Sequence, residues 1–156
     1  MALPVTGTRG DIVVQVEFDP VGAAGTYTNA CGVTSASFEI SNDIISFDVG
    51  DCDDWSASVQ KVKNYGAQDV TMSIDATWSA AQHVQMIDWA SRNINEGQLN
   101  LRLLYPNATT GQVSMIDGLA LMETLTLDNV GNVEGNPQTE NISLQFSGGI
   151  TVTKAS

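Results

Sequence analysis

The chain has 156 residues, 18 acidic and 6 basic side chains, and a formal net charge of −12. This length favours one domain, residues 1–156, with its own core, and an acidic chain without a basic patch is unsuited to binding the phosphates of nucleic acid. The chain has no apolar run as long as a membrane span, and "MALPVTGTRGD" does not have the pattern of a signal peptide, so we expect a protein that stays in a cytoplasm. In that compartment Cys31 and Cys52 are most simply free thiols, although the sequence does not test a disulfide between them.

Most of the chain alternates apolar and polar residues with the period of a β-strand. In "DIVVQVEF", Ile12, Val14, Val16 and Phe18 share one face, and "VTSASFEI" and "DIISFDV" continue the pattern as two further strands. The clearest strand is "DVTMSIDATW", in which alternate residues are predicted to face the core: Val70, Met72, Ile74, Ala76 and Trp78. Later strands are predicted in "QLNLRLLY" (98–105), "LALMETLTLD" (119–128) and "NISLQFSGGITVT" (141–153), with a bulge or break at Gly148 and Gly149.

One segment, from Ser79 to Asn95, has a helical period instead. Its apolar residues recur every three or four positions: Ala80, Val84, Ile87, Ala90 and Ile94. Ser79 is suited to cap the N-terminus, and Gly97 follows the C-terminal end. The order of strands, one helix and more strands predicts a mainly β protein, an antiparallel β-sandwich or barrel with one α-helix packed against it.

An acidic cluster lies in "ISFDVGDCDDWSASV" (45–59), which contains Asp48, Asp51, Asp53 and Asp54 around Cys52. A calcium loop of the EF-hand type needs alternating acids, a glycine at the turn and a terminal glutamate. Asp51 and Asp53 alternate, but the terminal glutamate is missing. The pattern therefore favours a solvated acidic loop over a metal site.

Residues suited to catalysis are scarce. His83 is the only histidine, so a zinc site of nitrogen and sulfur ligands cannot be assembled without carboxylates. Cys52 has no evident histidine partner that could activate its thiol. No glycine loop for phosphate and no cofactor motif is found. We therefore predict that the chain is not an enzyme and binds no cofactor or metal, while a carboxylate-based hydrolase would need a site that the sequence does not show.

The segment from 48 to 67 has no firm periodicity, and irregular loops of this length are usually functional. It carries apolar residues among polar ones, with acids at its start and bases at its end. This arrangement favours an interface that orders on assembly, in a head-to-tail contact between identical subunits. The residues predicted to make that contact are Asp48, Asp51, Asp53, Asp54, Trp55, Lys61, Lys63 and Tyr65.

The order of elements resembles a known family. The strands "CGVTSASFEISNDIISFDV", the acidic loop, "VKNYGAQDVTMSIDATW", a helix, "LNLRLLYPNATTGQVSMIDGLALMETLTL" and "NISLQFSGGITVT" follow one another. This layout, over roughly residues 10 to 154, resembles the tail tube (major tail) proteins of long-tailed bacteriophages and gene transfer agents. One departure is that Val33, Thr34 and Ser35 follow Gly32, where the family often has a bulky basic or aromatic residue.

The resemblance implies the phage tail-tube fold and a homohexameric ring that stacks into a hollow tube. It implies that the inner sheets join into one barrel, and that the long loop and the terminal arms, including residues 1–10, bridge to neighbouring rings. The implied partners are further copies of the chain, the tape-measure protein, and the tail terminator and distal tail proteins. DNA would pass through the lumen during ejection without specific binding. The implied location is the virion tail, which is assembled in the host bacterial cytoplasm.

Net charge agrees with that role, since six copies give 6 × −12 = −72 per ring, which repels DNA. Two other readings stay open at this point. One is the tube of a contractile injection or type VI secretion system. The other is a monomeric β-sandwich that binds carbohydrate or calcium.

Overall fold

A computed structural model describes residues 12–30, 32–77, 80–128 and 138–156. The proposed N-terminal arm at 1–10, Cys31, the predicted inward-facing Trp78 and the predicted cap Ser79 lie outside the described residues. The described elements are seven strands, one α-helix and one 3-10 turn. They are β1 (Val13–Val16), β2 (Thr28–Asn29), β3 (Val33–Val49), β4 (Gln60–Thr77), α1 (Ala80–Ala90), the turn Asn95–Gly97, β5 (Gln98–Leu104), β6 (Val113–Asp128) and β7 (Thr139–Lys154).

The strands form one antiparallel sheet in the order β2-β1-β5-β6-β7-β4-β3. The predicted mainly β, antiparallel architecture with one helix is therefore confirmed. The sheet curls like an incomplete barrel, because Val14 and Val16 near one end share a core with Met72 and Ile74 near the other.

The core follows the predicted alternation. Val70, Met72, Ile74 and Ala76 of β4 are all buried, and so are Leu99, Leu101 and Leu103 of β5. Ile12 is an exception to the shared face predicted for the first strand, since 47% of it is exposed. Helix α1 closes the core with Met86 and Trp89, and the Trp89 indole Nε1 donates to the carbonyl of Gly97 over 2.8 Å.

The helix is shorter than predicted and buries a different face. It ends at Ala90 because Arg92 has a left-handed φ of +61°. The predicted apolar face was wrong, since 64% of Val84 is exposed, whereas Gln82, Met86 and Trp89 are buried. The larger apolar side chains Met86 and Trp89 determine the buried face, and the Gln82 amide is satisfied there by donating to the carbonyl of Asn29.

The predicted irregularity at Gly148 and Gly149 is confirmed. Asp117 of β6 pairs with Thr151, while Leu119 pairs with Ser147, so β7 contains two extra residues at this point. Gly148 has a φ of +76°, which a residue with a side chain rarely adopts.

The segment 48–67 is more regular than predicted. Strands β3 and β4 form one long hairpin, and only residues 50–59 lie between them. Asp48 pairs with Lys61 and Val49 with Gln60 inside the region predicted to be irregular. The periodicity was missed because the register shifts between the pairs Asn42–Gln68 and Ile44–Tyr65, which interrupts the alternation of β4.

Candidate assembly surfaces

The outer part of the β3–β4 hairpin, residues 42–69, is named the ribbon. Strand β7 pairs with β4 only from Thr71 to Thr77, so in the ribbon β3 and β4 pair only with each other among the described strands. Two strands alone are marginally stable in water, and large exposed apolar side chains mark contact surfaces. The ribbon exposes eight of them: Ile44, Ile45, Phe47, Val49, Trp55, Val59, Val62 and Tyr65.

Four of the exposed apolar side chains of the ribbon lie on the side opposite to the core. The register shift adds one residue to β4, while β3 continues its regular alternation. Phe38 and Ile40 therefore point to the core side, and Ile45, Phe47 and Val49 point to the other side. A Cβ added to Gly66 would lie 3.2 Å from Cδ1 of Ile45, which places Gly66 on that same opposite face. We name Ile45, Phe47, Val49 and Val62 the apolar stripe.

The eight predicted contact residues fall into two groups. Asp48, Lys61, Lys63 and Tyr65 lie on the face of the ribbon opposite the apolar stripe, by strand alternation. There the Lys61 Nζ and Asp48 Oδ1 are 3.2 Å apart, an exposed pair that adds little stability. The remaining four, Asp51, Asp53, Asp54 and Trp55, lie in the tip at 50–59.

Tip carboxylates form turns. Asp51 Oδ1 accepts hydrogen bonds from the backbone N–H groups of Asp53 at 2.8 Å and Asp54 at 3.3 Å. Asp54 Oδ1 accepts from the Ser56 hydroxyl at 2.6 Å and the Ser56 N–H at 3.0 Å, which lowers the pKa of the Asp54 carboxyl. In the part of the chain that the structure describes, no group of three or more His, Cys, Asp or Glu residues is placed to hold a metal. Trp55 is 94% exposed at this tip.

A second surface lies on the side of β3, β4, β7 and the outer half of β6 that faces away from the core. It is named the polar face. Asp75 joins three of these strands there, because its carboxylate accepts from Ser35 Oγ at 3.1 Å and from Asn141 Nδ2 at 2.5 Å. Gln145 Nε2 donates to Glu123 over 2.9 Å. Strand alternation and the bonds of Glu123 place these side chains on the face: Ser35, Ser37, Glu39, Ser41, Asp69, Thr71, Ser73, Asp75, Thr77, Glu123, Thr124, Thr126, Asp128, Thr139, Asn141, Ser143 and Gln145.

Charge on the polar face has one sign. It carries five carboxylates, from Glu39, Asp69, Asp75, Glu123 and Asp128, and no lysine or arginine among the described residues. Sequence reasoning did not identify this surface, although its strands show alternate Ser, Thr and acidic residues. Deciding which strands lie side by side requires long-range pairing, which the period of a single strand does not reveal.

The four strands of the polar face are bounded by two open edges. Strand β5 covers β6 only from Met115 to Leu121, so Met122–Asp128 has β7 on one side and no described strand on the other. Strand β3 is the last strand at its end of the described sheet. Open edges of this length invite pairing with another chain.

These features agree with a match to a family model described as phage tail tube protein, over residues 11–152. The chain belongs to the phage tail tube protein family. A comparison with curated proteins found no sequence match. No described helix of this tail tube protein is long and apolar enough to cross a membrane.

Solved structures show the same fold at low sequence identity. The tail of an empty gene transfer agent particle, with C6 symmetry, has a TM-score of 0.67 at 8% identity, covering 95% of this chain and 99% of that one. The SPP1 tail tube has a TM-score of 0.67 at 14% identity, covering 97% and 80%. The sheath–tube complex of an extracellular contractile injection system has a TM-score of 0.64 at 13% identity, covering 95% and 91%. The same fold is therefore found in a gene transfer agent tail, the SPP1 tail tube and a contractile injection system.

Proposed function

We propose that this protein is the structural subunit of a hollow tail tube, in which six copies form a ring and rings stack along the virion tail. The observation that supports this most directly is the four-stranded polar face bounded by two open edges. A sheet of that kind is incomplete in a single copy. The role is structural, not enzymatic.

Ring closure joins the edge of β3 in one copy to the Met122–Asp128 edge of β6 in the next. The two edges differ, so the contact is heterologous and closes only as a ring. By analogy with the six-fold tail of the gene transfer agent, 6 × 4 strands give a barrel of 24 strands. At about 4.8 Å between strands, the backbone diameter is about 37 Å for upright strands and about 48 Å at a tilt of about 40°. A duplex fits inside such a barrel.

The polar face then lines the lumen. Its hydroxyl and amide side chains are neutral, and its five carboxylates repel the phosphates of DNA. DNA passes during ejection without specific binding, and the tape-measure protein occupies the same channel during assembly in the host cytoplasm. The tail terminator and distal tail proteins meet the ribbons of the last rings.

The ribbon makes the contact with neighbouring subunits, with Trp55 at its tip and Asp48, Lys61, Lys63 and Tyr65 along one face. Its exposed apolar side chains, which a two-stranded ribbon cannot bury alone, support this assignment. The carboxylates of Asp51 and Asp54 shape the tip that presents Trp55, and the backbone N–H of Asp53 donates to Asp51 within it.

Negative-stain electron microscopy over a concentration series tests the assembly. We expect six-fold rings or hollow tubes from the parent chain. The Trp55→Ala variant should keep its melting temperature, because Trp55 is almost fully exposed, but should form fewer tubes. Val21→Ala is the matched control, since Val21 is 86% exposed and lies outside the ribbon. A parent chain that stays monomeric at all concentrations would contradict the proposed function. Normal tubes from Trp55→Ala would show that the tip is not part of the contact between subunits.

A further inference from the structure

An apolar groove opens at one end of the curled sheet. It has a volume of about 560 Å³ and lies between the start of β1 and the inner part of β3. Its walls include Ile12, Ala36 and Phe38, and its floor includes Met72 and Leu103. The hydroxyl residues Thr34, Ser35 and Ser37 also line it, and among the described lining residues none is Asp, Glu, Lys or Arg. The lining is therefore uncharged and mostly apolar, which suits an occupant that carries no charge.

The ribbon of the same copy cannot fill this groove. Phe38 and Phe47 lie on one continuous strand, nine residues apart. At about 3.3 Å per residue, an extended strand places Phe47 roughly 30 Å from Phe38. The apolar stripe also points away from the core, whereas Phe38 points toward it. An occupant with the chemistry of the stripe must therefore come from another copy.

We propose that the apolar stripe of one copy docks into the groove of a second copy. This rests on the proposed function, since it names the receptor for the ribbon within the tube. The stripe carries no charge, as the groove requires, while the ion pair of Asp48 and Lys61 stays in water on the other face. Because the contact joins two different surfaces, each copy can place its stripe in one neighbour and accept the stripe of another, as an assembly requires. Ring closure uses backbone groups at the edge of β3, whereas the stripe would contact core-side side chains of the groove such as Phe38 and Met72.

Disulfide trapping in assembled tubes tests the docking. Cys31 and Cys52 are first replaced by serine. A chain with Phe47→Cys is then mixed with a chain with Ala36→Cys, assembled, oxidised and run on a non-reducing gel. Ala36 is exposed in the groove and tolerates the change. The matched control replaces Phe47→Cys by Asp48→Cys, one residue away on the opposite face. Since a disulfide needs Cα atoms within about 7 Å, we expect at least about tenfold more crosslinked dimer from the first pair than from the control.

Each outcome distinguishes the docking from the proposed function. Tubes that form without this crosslink, or with equal crosslinking from the control, would overturn the docking and leave the tube function standing. A Val5→Cys chain that crosslinks to Ala36→Cys more strongly than Phe47→Cys would assign the groove to the N-terminal segment instead. If Phe47→Cys prevents assembly, Val49→Cys in the same stripe replaces it with the same expectation. Absence of rings or tubes from the parent chain would contradict the proposed function itself.

Discussion

Replacing two carboxylates of the polar face with lysines should make the proposed channel retain DNA. We consider the double variant Glu39→Lys and Glu123→Lys. Both residues lie on the polar face, and the change raises its net charge from −5 to −1 per copy. In a six-fold ring it places 12 lysines around the lumen. The parent tube is expected to leave duplex DNA in solution at every salt concentration.

The expected affinity follows from counterion release. A duplex lying against one side of the channel reaches about half of the 12 lysines, so about six phosphates are neutralised at once. Six contacts give a slope of about −5 in log K against log salt, and therefore a loss of about a thousandfold in affinity between 50 and 200 mM salt. The assay is co-sedimentation of preformed tubes with a short duplex across that range.

The control is Asp19→Lys with Glu96→Lys, which makes the same change in net charge at exposed positions away from the four strands. If the control retained DNA as strongly as the polar-face variant, binding would be to the outside of the tube and the assignment of the lumen would be refuted. Tubes of the polar-face variant that retained no DNA at 50 mM salt would refute it equally.

Two further predictions concern the subunit itself. Gly118→Ala should lower the free energy of unfolding by about 1–3 kcal/mol, because the new Cβ would lie 2.5 Å from the Phe146 ring. The control Gly149→Ala should leave the melting temperature nearly unchanged, because no atom lies within 4 Å of the position of its new Cβ. Equal melting temperatures of the two variants would contradict this packing. Ser56→Ala should raise the pKa of Asp54 toward its ordinary value, because the hydroxyl that stabilises the carboxylate is removed, as measured by carbon NMR titration. Because the pKa of Asp54 is lower in the folded chain, its carboxylate stabilises the folded tip at pH values above the unfolded-state pKa. This stabilisation is lost as the pH falls through the folded-state pKa. An unchanged titration of Asp54 in Ser56→Ala would contradict the hydrogen bond.

The sequence predicted the strands best where one face is buried. In β4 from Val70 to Ala76 the alternation of residue types equals the alternation of burial, since one side meets the core and the other meets water. The ribbon has water on both sides in a single copy, so no burial pattern constrains its residues. The bulge near Gly66 then changes which alternate residues of β4 point to the core side, so this segment shows no single period in the sequence.

Helix α1 shows a different limit of sequence reasoning. Two sets of residues satisfy a helical period here, and the predicted set contained Val84 and Ile87. The observed set is Gln82, Met86 and Trp89. A buried glutamine is disfavoured unless it has a partner, and its partner, the carbonyl of Asn29, lies 53 residues away. Sequence spacing within the helix does not contain that information.

The candidate site was predicted as a segment, but not as surfaces. Exposed residues such as Trp55 and Tyr65 were identified because they lie in a polar context. The polar face was not, since β6, β7, β4 and β3 become neighbours only through long-range pairing. The eight predicted contact residues also lie on one face and the tip of the ribbon. For Ile45, Phe47 and Val49 the sequence predicts only a strand, and no contact with another subunit.

The bulge in β4 explains how one hairpin serves two environments. Without the extra residue, the alternation that puts Met72 and Val70 in the core would continue unchanged along β4, and Val62 would lie on the same side. With it, Val62 joins Phe47 on the opposite side, away from the core of its own copy. The inner half of the hairpin therefore stabilises the fold, and the outer half presents apolar surface outward. A subunit arranged in this way folds alone but buries all of its apolar surface only in an assembly.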